Sequence, residues 1–169
     1  MNAETQLAGY FAKYEPAMAK LGKALRAKLR ARLPGLCEVV YVYENQDALV
    51  ISYSPTENGY EALCSLSVYP REVKLSFANG PLLAKSDPNK LLQGRGTMVR
   101  HVVLTTAADL GRPEIEALMA AAVKIAKLRL DANSKGSVIL KAESQKKRAL
   151  RAKKTARPAP ARRTSKARR

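Results

Sequence analysis

Five runs between residues 36 and 104 carry apolar side chains at every second place, and helical patterns stand before and after them. A chain in that order, helices, then strands, then a helix, buries one face of a sheet under its helices. The runs are residues 36–43, 48–53, 61–69, 72–77 and 97–104, rich in Val, Ile, Leu and Tyr. Asn45-Gln46-Asp47 and Tyr69-Pro70-Arg71 leave room only for short turns, so neighbouring strands are expected as antiparallel hairpins. Pro55, Asn58 and Gly59 mark a longer connection. Residues 79–96 read as a loop with one helical turn at 89–92, because Ser86-Asp87-Pro88 is a good helix start.

Residues 3–14 predict a short helix with Leu7, Tyr10, Phe11 and Tyr14 on one face. Pro16 opens a second helix that runs to Leu33, with Met18, Leu21, Leu25 and Leu29 as its buried stripe, and Pro34-Gly35 stops it. Lys13, Lys20, Lys23, Arg26 and Arg30 project to the opposite side, with no acid between residues 16 and 37 to neutralise them. Asp109 and Pro113 open a last helix reaching Leu130, striped by Ile115, Leu118, Met119, Ala122 and Ile125. Residues 137–140 either add an edge strand or dock on the body. The expected fold is α+β: an antiparallel sheet of about five strands, N-terminal and C-terminal helices packed on one face, and a disordered basic tail. The domain division is residues 1–141 for the body and 142–169 for the tail.

Charge is loaded on one end. Residues 131–169 hold 14 Lys or Arg against Asp131 and Glu143, a net of +12 out of +17 for the whole chain. The other 130 residues hold 17 basic and 12 acidic side chains. A body of that size buries roughly two thirds of its unfolded surface, enough for an ordinary core without staples. Cys37 and Cys64 stand alone in apolar runs, at no zinc or redox spacing, and read as small core residues of a protein in a reducing cytoplasm. The first 16 residues have an early acid and no apolar stretch, so no signal peptide is expected, and no run is long enough for a membrane span.

Four segments in order resemble the bacterial YdhG-like domain family. They are Ala31-Arg32-Leu33-Pro34-Gly35 before a Val/Tyr strand, Leu66-Ser67-Val68-Tyr69-Pro70, Lys90-Leu91-Leu92-Gln93-Gly94-Arg95-Gly96 followed by Val99-Arg100-His101, and Asp109-Leu110-Gly111-Arg112-Pro113. Ser137-Val138-Ile139-Leu140-Lys141 before a basic end is similar to one branch of that family. The resemblance covers residues 1–141 and implies a frataxin-like fold. It also implies iron chaperoning as one activity, although most members have none assigned.

No catalytic constellation is expected. His101 is the chain's one histidine, and on a strand it shares a face with Thr97, Val99 and Val103, the setting of a structural histidine. Iron sites need clustered carboxylates, whereas Glu38, Glu44, Asp47, Glu57, Glu61 and Glu72 are scattered and the first long helix is basic. Gly94-Arg95-Gly96 precedes a strand, and a phosphate-cradling loop needs a following helix. Tyr41 and Tyr43 share a sheet face and, with Tyr69, Arg95 and Arg100, are the candidate ligand contacts, through stacking and an anion-attracting rim. The candidate nucleic-acid contacts are Lys146, Lys147, Arg148, Arg151, Lys153, Lys154, Arg157, Arg162, Arg163, Lys166, Arg168 and Arg169, joined by Lys20, Lys23, Arg26 and Arg30. Their Ala and Pro spacing resembles the tails of histone-like bacterial proteins. The expected partner is DNA or RNA, held by its phosphates without base reading, in the cytoplasm and at the nucleoid. No cofactor and no metal are expected; the alternative is a small-ligand or iron carrier acting through the body.

Overall fold

A computed structural model describes residues 2–141; the tail cations Lys146 to Arg169, and the disorder expected of them, lie outside the described residues. Three α-helices and six strands follow in the order α1 (Ala3–Phe11), α2 (Pro16–Arg32), β1 (Cys37–Tyr43), β2 (Ala48–Ser54), β3 (Cys64–Val68), β4 (Val73–Phe77), β5 (Arg100–Leu104), α3 (Pro113–Ile125) and β6 (Val138–Lys141). Local chemistry sets the helix starts. The Asn2 side chain accepts from the Thr5 amide at 2.8 Å, while Pro16 and Pro113 sit in the first turns of α2 and α3, where a missing N–H costs nothing. Beyond α2 the chain turns through Gly35 at φ 85°, a conformation glycine adopts without strain.

The strands form one sheet in the order β5-β4-β3-β2-β1-β6. The hairpins β1 to β4 are antiparallel, as the short turns require, and β5 joins β4 antiparallel. The sheet differs from expectation at its edge. β6 pairs with β1 in parallel, Glu38 opposite Val138 and Tyr41 opposite Lys141, so the sheet has six strands and is mixed. The physical reason is the route: the long crossover by way of α3 brings β6 in parallel to β5, the strand it leaves, and four antiparallel pairings from β5 to β1 give β1 that same direction. The last helix also stops at Ile125, five residues early, and Lys127 follows at φ 54°. The expected helical turn at 89–92 is absent. A 3-10 segment lies instead at Gly80–Ser86, and the Asp87 carboxylate accepts from the Leu91 and Leu92 amides at 2.8 and 2.9 Å.

All three helices bury their stripes in one cluster with one sheet face. A row across that face runs Val40, Ile51, Leu66, Leu75, Val102, each opposite the next and all buried. α1 crosses α2 at Gly22, where a Cβ would stand 2.8 Å from the Phe11 ring and 3.1 Å from Val68. The missing side chain lets Phe11 reach the core. The other face carries the row Val39, Ser52, Ser65, Ser76, His101, polar along most of its length.

Candidate functional site

The four body cations expected to face solvent on α2 separate into two pairs. Lys20 and Lys23 are exposed, Lys23 with its ammonium 6.0 Å from the Phe11 ring centre. Arg26 and Arg30 are engaged. The Arg26 guanidinium donates to both oxygens of Glu38 at 2.9 and 2.6 Å and to both oxygens of Glu4 at 2.9 and 2.8 Å. Arg30 donates to Glu4 at 2.8 Å. The Glu38 side chain is 3% exposed and that of Arg26 14%. Neutralising acids are absent within α2, but α1 and β1 supply them from either side: Arg26 is closed into this network, while Arg30 pairs with Glu4 and stays exposed. Burial pulls the Arg26 pKa down, yet its hydrogen bonds to Glu4 and Glu38 outweigh that and hold it above its ordinary value. The same hydrogen bond from Arg26 holds the Glu4 carboxyl below the usual range.

The five candidate ligand contacts do not converge. Tyr41 and Tyr43 share a face and stack, ring centres 6.2 Å apart, but Tyr41 is only 8% exposed and its ring lies against Gly59. Tyr69 is half-buried beneath the Lys74 ammonium, 5.0 Å from its ring centre. Arg100 is at the far edge strand, its guanidinium donating to the Gly96 and Val99 carbonyls. Arg95 is exposed on the preceding loop. The sheet order puts three strands between β1 and β5, so no single ligand meets all five residues.

Tyr43 belongs instead to a cleft of about 460 Å³ between the α1–α2 elbow and the β1–β2 turn. Its walls include Tyr10, Tyr14 and Tyr43, and its rim carries Lys13, Glu15, Glu44 and Asp47. The Tyr14 hydroxyl donates to the Asp47 carbonyl at 2.8 Å, tying the elbow to the turn. Burial raises the Tyr14 pKa, so the phenol stays a donor. The Lys13 ammonium lies 5.5 Å from the Tyr10 ring centre. Nothing in the spacing of Tyr10, Tyr14 and Tyr43 announces this meeting, because Tyr10 and Tyr14 read as core-facing helical residues.

A second cavity of about 310 Å³ lies where α2 ends, lined by Arg30, Gly35, Tyr53 and Ser134 among others. The Tyr53 hydroxyl is buried and makes no hydrogen bond of good geometry among the described residues. His101 stands directly opposite Ser76 of β4. Burial first, then the Lys74 charge, lowers the His101 pKa, so the ring is neutral near pH 7. Among the described residues no three His, Cys, Asp or Glu side chains gather to hold a metal ion. Cys37 and Cys64 are free thiols, and burial pushes Cys64 up to about 12. No helix of the described residues is long and apolar enough to cross a membrane. Comparison with known protein families, curated proteins and solved structures finds no match to this chain.

Proposed function

We propose that this is a non-enzymatic, YdhG-like α+β protein that associates with DNA or RNA through its basic C-terminal segment, without reading sequence, in the cytoplasm and at the nucleoid. The observation that carries the reading is the distribution of charge. Residues 142–169 hold 12 Lys or Arg against Glu143, a net of +11, while residues 1–141 hold 19 basic against 13 acidic side chains. The body moreover spends some of its cations internally, Arg26 and Arg30 on Glu4 and Glu38, Arg32 on Glu116, Lys74 on Glu72. Cations spaced by Ala and Pro meet phosphates by counterion release and carry no side-chain set for base edges. Lys20 and Lys23 are exposed and form no ion pair among the described residues, so they can add to this contact, while Arg30, exposed as well, is paired with Glu4. The helices-on-sheet body and the four resembling segments support the YdhG-like reading.

The competing reading, a small-ligand carrier, has the tyrosine-walled cleft in its favour. Gel-shift titrations over a salt series separate the two. The full chain should bind duplex DNA of any sequence with log K falling against log salt at a slope of about −5 to −7. A chain ending at Lys141 should lose most of that affinity. Equal binding by both chains would remove the C-terminal segment from the function.

A further inference from the structure

The carboxylates of the body are unequally used. Glu4, Glu38, Glu72, Glu114 and Glu116 form ion pairs, and Glu61, Asp87, Asp109 and Asp131 accept side-chain hydrogen bonds. Glu15, Glu44, Asp47 and Glu57 have neither among the described residues, and the first three of these line the tyrosine cleft. In a chain of net charge +17 the cleft is therefore a negative spot, with Lys13 its one rim cation. Tyr10 already takes an ammonium over its ring in Lys13, the contact aromatic walls offer to Lys and Arg.

The topology says which cations are at hand. β6 runs parallel to β1 and ends with Lys141 opposite Tyr41, and the next two residues of β1, Val42 and Tyr43, are cleft wall. A strand advances about 3.3 Å per residue, so the chain leaves β6 roughly 7 Å short of the cleft and heading toward it. Lys146, Lys147 and Arg148 follow five to seven residues later, a reach of roughly 16 Å or more. We propose that the cleft between the α1–α2 elbow and the β1–β2 turn is a docking site for Lys and Arg side chains of this chain's own residues 142–169. The short tether gives those side chains a high effective concentration at the cleft, so weak single contacts suffice. The docking stands without any nucleic acid; its consequence, that a polyanion must draw the segment off the cleft, rests on the reading above. A rim of three carboxylates repels phosphate and takes cations, which makes the two occupancies exclusive.

Zero-length carbodiimide coupling on the full chain at low salt, read by peptide mass spectrometry, tests this. Lys146, Lys147, Lys153 and Lys154 should couple to Glu15, Glu44 or Asp47 within monomers, and added DNA or high salt should suppress the products. Glu57 is the stringent comparison, because its carbonyl accepts from the Lys141 ammonium at 2.7 Å and so it stands as near the root of the segment. Coupling to Glu57 as often as to the cleft would mean tethering without docking, and coupling only in dimers would assign the cleft to a second copy; either overturns the proposal. The variant Glu15→Gln, Glu44→Gln, Asp47→Asn should bind DNA about three- to tenfold more tightly at low salt than a charge-matched variant, Glu57→Gln, Glu114→Gln, Asp131→Asn. Asn is a tolerated choice at residue 47, where φ is 47°. If neither variant binds DNA, the nucleic-acid reading fails while the coupling pattern still decides the docking.

Discussion

The buried end of the Arg26–Glu38 pair has a consequence that a surface ion pair does not. Removing one partner leaves the other charge in a site almost closed to water, so Arg26→Met should cost about 3–5 kcal/mol in chemical denaturation. Replacing both, Arg26→Met with Glu38→Leu, should recover most of the loss, because no uncompensated charge remains. A double variant as unstable as the single one would mean that packing, not charge, carries the effect. Glu4 ties the same network to pH. Its folded pKa lies below the ordinary 4.5, so the stability it adds is complete above pH 4.5 and is lost as pH falls through the lower folded value. Tyr53 works in the opposite direction. Burial, then the neighbouring Glu38 charge, holds its phenol well above the ordinary 10. Stability from keeping it neutral is complete below pH 10 and is lost as pH climbs toward the folded value. Because its hydroxyl makes no hydrogen bond of good geometry among the described residues and has only the Glu38 carboxylate nearby, Tyr53→Phe should leave stability unchanged or raise it by up to about 1 kcal/mol. The variant should also unfold less readily than the parent above pH 10, read from denaturation midpoints across that range.

At the scale of elements, β6 depends on how closely the chain approaches β1. A Cβ on Gly136 would collide with the Leu36 carbonyl, backbone that cannot swing aside, and the Glu38 amide donates to the Ser137 carbonyl at 2.9 Å just beyond. Gly136→Ala should therefore cost about 1–3 kcal/mol and should speed hydrogen exchange at the Glu38 amide before that of β3 at the sheet centre. Equal protection in both strands would place the damage elsewhere. α2 shows the reverse case, an element whose two cation pairs answer differently to change. Lys20→Gln with Lys23→Gln should alter stability by less than about 0.5 kcal/mol, since both are exposed, and should flatten the salt dependence of DNA binding by up to about two units. An unchanged slope would return both lysines to plain solvated surface. The helices, the four hairpin-linked strands and the closing helix are legible from period and turn chemistry because each depends on residues close in sequence. The direction of β6 is not, since residues 137–140 read equally as a strand of either sense until the crossover is known. Nor is the fate of Arg26 legible, because its acids sit 22 residues before it and 12 after it, reachable only once α1 and β1 flank α2.

For the whole molecule the question is whether the body and the C-terminal segment act as one unit, and thermodynamic linkage answers it without a structure of the complex. Among the described residues the buried core runs from Leu7 to Ala122. Anything that binds only the folded state stabilises it by RT ln(1 + [L]/Kd), about 2.7 kcal/mol at a hundredfold excess over Kd. A small ligand held in the tyrosine cleft binds only the folded state, because Tyr10, Tyr14 and Tyr43 meet only when the elbow closes on the β1–β2 turn. A ligand of the cleft must therefore raise the unfolding midpoint. DNA held by lysines and arginines outside the core meets the same cations whether the body is folded or not, so its binding terms cancel between the two states. The full chain, saturated with duplex DNA at low salt, should thus unfold within about 1 kcal/mol of the free protein, the difference being the share contributed by Lys20, Lys23 and the vacated cleft. Thermal unfolding by circular dichroism, with binding checked by anisotropy in the same buffer, makes the measurement. A stabilisation of the full 2.7 kcal/mol or more at a hundredfold excess would place the nucleic-acid site on the folded body and reverse the division of labour proposed above.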